Sequence, residues 1–125
     1  MSLAEYFEKT MGIGVLATAD GKGKVDAAVY ARPHVQDETT VAFIMSDKLS
    51  HKNLQSNPSA VYLFVEKGPG YVGKRLYLTK VREETDPAAI DAMRRKQRRD
   101  CPIEGEQKYL VYFKVDTVRP LIGDK

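Results

Sequence analysis

The stretch FIMSDKLSHKNLQSNPSAVYLFVE, residues 43–66, contains two apolar runs joined by a short polar segment. The apolar runs are rich in the β-branched and aromatic residues that are typical of buried strands. In the polar segment, SHKNLQSN is a candidate helix that stops at Asn57-Pro58, because the residue before a proline is disfavoured in the helical region. The stretch therefore predicts a strand, a short helix with Ser50 as its N-cap, and a second strand.

Further strands are predicted on both sides of this unit. Upstream, GIGVLATAD and VDAAVYARPHV are separated by Asp20-Gly21, a strong signal for a β-hairpin. Downstream, AVYLFVE is followed by YVGKRLYLTKVREE and, near the end, by KYLVYFKVDTV. Six strands without regular alternation of strand and helix argue against a doubly wound parallel sheet. They predict a mainly β fold, a six-stranded antiparallel barrel with flanking helices.

Two more helices complete the prediction. Ser2 and Glu5 have the spacing of a capping box and are followed by apolar residues at helical intervals, so a first helix is expected to reach about Lys9. Asp86-Pro87 has the pattern of an N-cap followed by proline at the first helical position. This second signal predicts a helix over AAIDAMRRKQRR.

Composition indicates an ordinary soluble protein. Of 125 residues, 42% are hydrophobic and 30% are charged, and this length can bury one core without disulfides or metals. Cys101 is the only cysteine, and no apolar run reaches the ~20 residues of a membrane-spanning helix. We expect a single domain over residues 1–125 in the cytoplasm. The net charge of +3 is lower than is usual for a dedicated nucleic-acid binder.

Some predicted strands are apolar on both faces. In AVYLFVE, Tyr62 and Phe64 alternate with Val61, Leu63 and Val65. A small barrel has one interior, so the outward-facing apolar side chains need cover from helices or from a second subunit. This pattern predicts a homodimer.

The polar segment after the strand FIM has two open interpretations. Ser50 is followed by His51 and Lys52, and cations at a helix N-terminus oppose the helix dipole unless an anion shares the site. The segment therefore predicts either a phosphate site or a solvated helix whose Lys48 and Lys52 point into water. Arg32 in VYARPHV would lie near this segment if the two strands pair. Alternatively, it points outward with its stem along the barrel.

The order GVLATAD, GKVDAAVYARPHV and TVAFIMSDKLSHKNLQSNPSAVYLF resembles the FMN-binding split-barrel family related to pyridoxamine 5'-phosphate oxidase. The resemblance covers residues 12–78. It implies a six-stranded Greek-key split barrel and a homodimer with FMN in grooves between the subunits. His51 stands where an arginine is frequent in the family. The implied cofactor contacts are Tyr30, Ala31, Arg32, Pro33, Met45, Ser46, Ser50, His51 and Lys52.

The resemblance implies an FMN-dependent oxidoreductase or a flavin-mediated electron carrier. The oxidase itself has a C-terminal pyridoxal-binding segment with an Arg-x-His-type motif. This sequence lacks the motif, so we do not expect oxidation of pyridoxamine phosphate. A deazaflavin in the same groove is an open alternative. Because the cofactor performs the redox chemistry, no side chain is predicted to be catalytic.

A different class of function is suggested by the basic run RRKQRR, Arg94–Arg99. Cations suit a helix C-terminus, so a solvated helix end is one interpretation. The alternative is a non-enzymatic barrel that binds a ligand or an anionic polymer through this run. His34, His51 and Cys101 do not have metal-ligand spacing, so no metal site is predicted.

Overall fold

The computed structural model describes residues 2–97 and 108–123, which contain seven strands and three helices. The helices are α1 (Leu3–Lys9), α2 (Leu49–Ser56) and α3 (Pro87–Gln97). The strands are β1 (Gly12–Ala19), β2 (Val25–Tyr30), β3 (His34–Asp37), β4 (Thr40–Ser46), β5 (Ser59–Glu66), β6 (Gly73–Glu84) and β7 (Lys108–Pro120).

All seven strands form one antiparallel sheet in the order β2-β1-β5-β6-β7-β4-β3. Among the described strands, β2 and β3 end this order, and no ladder joins them directly. The predicted mainly β, antiparallel architecture with flanking helices is confirmed.

The strand count is seven, so the predicted count of six is wrong. VDAAVYARPHV was predicted as one strand, whereas β2 ends at Tyr30 and β3 begins at His34. Pro33 has no N–H to donate to a ladder, and it restricts the backbone of the residue before it. The chain therefore leaves one end of the sheet order at Tyr30 and joins the other at His34.

Local sequence signals account for most helix ends. The Ser2 hydroxyl accepts from the Glu5 amide, and the Glu5 carboxylate accepts from the Ser2 amide, as the predicted capping box requires. The Asp86 carboxylate accepts from the Ala88 amide, which places Asp86 at the start of α3. The first four residues of the basic run Arg94–Arg99 belong to α3, and its last two residues and Cys101 lie outside the described residues.

The start of α2 differs from the prediction. Lys48 is the N-cap, with φ −131° and ψ −168°, and Ser50 is the second residue of the helix. The Lys48 amide donates to the Ser46 carbonyl (2.8 Å), and the Lys52 amide donates to the Lys48 carbonyl (3.0 Å). Because of this tight turn directly after β4, the N-cap lies two residues before Ser50, the predicted N-cap.

The core lies between the inner face of the sheet and α1. Tyr62, Phe64 and Phe113 are fully buried. Phe7 of α1 packs edge-on against Tyr62 and Phe64, with ring centroids 6.1 Å and 5.3 Å apart. No described helix is both long and apolar enough to cross a membrane. The core fixes β4 and β5, and with them the short helix α2 between them.

Candidate functional site

Two adjacent grooves flank the beginning of α2. We call the first, of about 370 Å³, the strand-end groove, and the second, of about 570 Å³, the helix groove. Both are lined by Lys48 and Leu49, so they meet at the start of the helix. The strand-end groove is also lined by Asp26, Ala28, Val29, Tyr30, Ile44, Ser46 and Ser50. The helix groove is also lined by Asp47, His51, Lys52, Gln55, Glu83 and Tyr109.

The strand-end groove presents hydroxyl groups at the ends of β2 and β4. Burial raises the pKa of the Tyr30 phenol; a hydrogen bond with Ser50 opposes this shift in part, and the charge of Asp26 adds to it. The phenol therefore stays protonated at neutral pH. Lys108, at the start of β7, donates from Nζ to Ser46 Oγ at 2.6 Å. The groove thus combines neutral hydroxyls with lysine side chains.

The wall of the helix groove contains a buried histidine. The His51 ring stacks on Tyr109 with centroids 3.7 Å apart and an interplanar angle of 16°. Its Nε2 lies 3.1 Å from Glu83 Oε1, and its Nδ1 lies 3.7 Å from Asp47 Oδ1. His51 is only 6% exposed, so its neighbours hold the ring in one orientation.

Glu83 is the centre of the polar contacts around that histidine. Its carboxylate accepts from Lys80 Nζ at 2.7 Å and from Gln55 Nε2 at 3.1 Å. Burial opposes the charge of Glu83, but the hydrogen bonds from Lys80, Gln55 and His51 outweigh it and lower its pKa to about 2. Glu83 is therefore ionised at neutral pH, and its charge is compensated by the groups around it.

The start of α2, between the two grooves, carries two lysine side chains, Lys48 and Lys52. Lys48 makes no capping hydrogen bond with its side chain, and the first turn of α2 contains no acidic residue. Lys48 and Lys52 are both exposed. Backbone amides at a helix N-terminus, together with lysine side chains, suit an anionic group.

Five of the predicted site residues line these grooves. Tyr30, Ser46 and Ser50 lie in the strand-end groove, and His51 and Lys52 lie in the helix groove. Because the two grooves are contiguous, the structure brings these five residues together around the start of α2.

The other predicted residues occupy different surroundings. Arg32 Nη1 donates to the carbonyls of Phe7 (2.8 Å) and Thr10 (3.0 Å), so this guanidinium holds the C-terminal end of α1. The Ala31 carbonyl accepts from a buried tyrosine, and Pro33 is buried. The Met45 side chain is fully buried in the core, which leaves its backbone to contact a ligand.

Several residues at the site were absent from the predicted set, and three of them, Glu83, Lys108 and Tyr109, come from β6 and β7, far from α2 in sequence. Lys108 and Tyr109 begin β7 and pair in register with Ser46 and Met45 at the end of β4. Lys108 is 62 residues from Ser46 in sequence, so only a correct β4–β7 pairing could have placed it at the site. No local motif signals these contacts.

The sequence matches no protein-family model and no curated protein. Several solved structures share its fold. An FMN-binding protein from Syntrophomonas wolfei subsp. wolfei is 16% identical with a TM-score of 0.79, covering 99% of this chain and 86% of its own. An F420 reductase is 16% identical with a TM-score of 0.69, covering 92% and 94%.

A third similar structure is a protein of the pyridoxinephosphate oxidase family from Clostridium acetobutylicum. It is 13% identical with a TM-score of 0.69, and the match covers 97% of this chain and 87% of that one. All three matches extend over nearly the whole chain, which agrees with the family resemblance seen in the sequence. The chain therefore has the split-barrel fold of FMN-binding and pyridoxine phosphate oxidase-family proteins.

Proposed function

We propose that this chain is an FMN-binding flavoprotein that holds the cofactor across the two grooves at the start of α2. The observation that carries the proposal is that the grooves meet at Lys48 and Leu49. Beyond these shared residues, the strand-end groove offers the hydroxyls of Tyr30, Ser46 and Ser50, and the helix groove offers the Lys52 ammonium group. An elongated cofactor with a ring at one end and a phosphate at the other fits this division. Each groove also has a volume within the range of about 300–1,000 Å³ that is usual for ligand sites.

The phosphate end is assigned to the beginning of α2. Its first-turn amides, together with Lys48 and Lys52, provide donors and positive charge for a phosphate monoester. The two carboxylates in the helix groove belong to Asp47 and Glu83, and Glu83 is compensated by Lys80 at 2.7 Å. Repulsion of the phosphate by Glu83 is therefore reduced.

Arg32 remains a proposed phosphate ligand, although part of its guanidinium group already donates hydrogen bonds to α1 and the residue that follows it. Its Nη1 atom is occupied by the carbonyls of Phe7 and Thr10. A contact with the cofactor would have to use the other guanidinium nitrogens. Its structural role at α1 and its proposed role as a ligand must therefore be measured separately.

The ring end is assigned to the strand-end groove. Tyr30 and Ser46 offer hydrogen-bonding groups there, and the Met45 backbone lies at the same end of β4. The bound flavin would supply the redox chemistry, as an oxidoreductase cofactor or an electron carrier. The chain contributes position and electrostatics, and none of these side chains is required as an acid or base.

A homodimer is part of this proposal. Leu16, Tyr62 and Phe64 face the core. The residues that alternate with them along β1 and β5, and the register partners of these residues on β2, therefore lie on the opposite side of the sheet, and they are apolar. Val25, Val29 and Ile13 are 78%, 75% and 63% exposed. We call this surface the outer apolar face; its residues are Ile13, Val15, Ala17, Val25, Ala27, Val29, Val61, Leu63 and Val65.

A second copy of the chain is the proposed cover for the outer apolar face. An exposed apolar surface that runs over three adjacent strands is unusual for a monomer. Val29 belongs both to this face and to the lining of the strand-end groove. A partner subunit on the face would therefore border the proposed ring site.

Absorbance spectroscopy with gel filtration and light scattering tests the proposal. We expect the purified protein, after addition of FMN, to retain a flavin spectrum that elutes with a dimer. A protein that does not retain FMN would refute the cofactor assignment. A monomer that retains FMN would refute the dimer alone.

The structural similarity to an F420 reductase favours a deazaflavin as the second candidate ligand. The same grooves would hold its phosphate and its ring. Parallel titrations with FMN and with F420 separate the two candidates, because the preferred cofactor should saturate the site at the lower concentration. A clear preference for F420 would replace FMN in the proposal while leaving the site unchanged.

A further inference from the structure

Lys108 and Ser46 form a polar contact across the β4–β7 ladder. The two residues are register partners, and Lys108 Nζ donates to Ser46 Oγ at 2.6 Å. The contact is partly buried. Because cross-strand partners project from the same face of a sheet, the ammonium group lies beside the strand-end groove that Ser46 lines.

This contact determines what the Ser46 hydroxyl can do. A serine hydroxyl has one proton to donate and two lone pairs that accept. An ammonium group can only donate, so the hydroxyl must act as the acceptor towards Lys108. Within residues 2–97 and 108–123, no protein acceptor is bound to the Ser46 hydroxyl proton. Since the hydroxyl accepts from Lys108, its own proton can be donated to a ligand in the groove.

We propose that Lys108 is a positioning residue that directs the Ser46 hydroxyl as a donor towards an acceptor atom on the edge of the bound flavin ring. This inference rests on the proposed FMN site and adds a residue and a role to it. A flavin ring edge carries carbonyl oxygens and ring nitrogens that accept hydrogen bonds. Ser46 would pair with one of these acceptors, and not with the single N–H donor of the ring.

The positive charge of Lys108 gives the contact a redox consequence. Reduction of a flavin by two electrons and one proton adds negative charge to the ring system. A hydroxyl polarised by an ammonium group stabilises that added charge more than it stabilises the oxidised ring. Lys108 should therefore make the protein bind reduced FMN more tightly, relative to oxidised FMN, than it would without this charge.

The size of the effect follows from the strength of charge-assisted hydrogen bonds. Such bonds typically contribute enough free energy to change an equilibrium by about tenfold or more. We expect Lys108→Met to reduce the ratio of the Kd for oxidised FMN to the Kd for reduced FMN by about tenfold. By linkage, the reduction potential of the bound flavin should fall in proportion to the logarithm of this ratio.

The experiment compares Lys108→Met with Lys114→Met. Lys114 is an exposed lysine on the same strand, so its substitution removes the same charge away from the groove. The Kd for FMN is measured by fluorescence quenching, and the reduction potential of the bound flavin is measured by dye equilibration with dithionite as reductant. Ser46→Ala and the double variant complete the set, and circular dichroism establishes that each variant is folded.

The expected result is a lower potential for Lys108→Met and Ser46→Ala, with no further decrease in the double variant and no change for Lys114→Met. Wild-type protein that binds FMN, with equal potentials in all variants, would overturn the inference and leave the proposed function standing. Wild-type protein that does not bind FMN would overturn both. Should Lys108→Met not fold, an unchanged potential in Ser46→Ala would be sufficient to overturn the inference.

Discussion

The Tyr62 side chain occupies the space that any side chain at Gly14 would need. A Cβ atom at position 14 would overlap the Tyr62 hydroxyl oxygen and the adjacent ring carbons. That hydroxyl donates to the carbonyls of Tyr30 (3.2 Å) and Ala31 (3.1 Å), where the chain leaves β2. Gly14 therefore permits a hydrogen bond that anchors one side of the strand-end groove.

Gly14→Ala should destabilise the protein, because Tyr62 would have to move in a fully packed core. Overpacking of this kind typically costs about 1–3 kcal/mol. Gly21→Ala is the matched control, since its added Cβ would meet Ser56 at an ordinary 3.5 Å. Urea denaturation measures both variants. Equal free energies of unfolding for the two would show that the Tyr62 hydroxyl is easily displaced.

Lys52→Gln should weaken FMN binding by about tenfold or more, because it removes a charge-assisted contact with the phosphate. Riboflavin has the same ring and no phosphate, so its affinity should be unchanged by this substitution. Lys22→Gln, in the exposed turn between β1 and β2, is the control for loss of general positive charge. Equal weakening of FMN and riboflavin binding would place Lys52 away from the phosphate.

Arg32→Ala should have two separate effects. Loss of its hydrogen bonds to the Phe7 and Thr10 carbonyls should lower the free energy of unfolding by about 1–2 kcal/mol. Loss of a phosphate ligand should also raise the Kd for FMN. Lys9→Ala, which removes a charge from the last turn of α1, is the control. If Arg32→Ala is less stable but binds FMN normally at a temperature where it is folded, Arg32 has only the structural role.

Glu83→Gln should change how stability depends on pH. The folded-state pKa of Glu83, about 2, lies below the ordinary value of 4.5. Its charge therefore stabilises the fold above pH 4.5, and this contribution is lost as the pH falls towards 2. Allowing for solvent screening, the free energy of unfolding of the wild type should exceed that of the variant by about 1–2 kcal/mol at pH 7. This difference should disappear near pH 2.

Urea denaturation between pH 7 and pH 2.5 measures this dependence. Glu8→Gln, at an exposed position of α1, is the matched control and should parallel the wild type. A constant difference between wild type and Glu83→Gln over this pH range would show that Glu83 contributes through packing and not through its charge.

Val29→Lys should convert the proposed dimer to a monomer, because it would bury an unpaired ammonium group in an apolar interface. Val81→Lys is the control, since Val81 is also exposed but lies on β6 outside the outer apolar face. Light scattering after gel filtration gives the mass of each variant. A dimer that persists in Val29→Lys would require a different interface.

The local parts of the fold could be predicted because their causes are adjacent in sequence. Asp20 directly follows the last residue of β1, and its carboxylate accepts hydrogen bonds from the Lys22 and Lys24 amides. The β1–β2 hairpin therefore depends on one turn. Asn57-Pro58 ends α2 where the sequence indicates. The separation of β2 from β3 was missed because VYARPHV has strand propensity throughout, and the effect of Pro33 appears only when the strand order is known.

The candidate site was predictable to a similar extent. Ser50, His51 and Lys52 are consecutive in sequence, and the family resemblance implied Tyr30 and Ser46 as further contacts, so these residues could be grouped before the structure was known. Lys108 and Glu83 reach the site through strand pairing with distant segments, for which the sequence has no local signal. The partners of Arg32 were hidden for the same reason, because they depend on where α1 packs.

The position of β7 in the sheet has a consequence for folding. β7 is the last strand in sequence, yet it lies between β6 and β4 and brings Lys108 and Tyr109 to the grooves. Until residues 108–120 have been synthesised, β4 lacks its principal neighbour, the wall of the helix groove lacks Tyr109, and Ser46 lacks its contact with Lys108. Pairings between such distant segments are slow to form, so we expect the barrel to fold after translation of β7, on a timescale of roughly milliseconds to seconds.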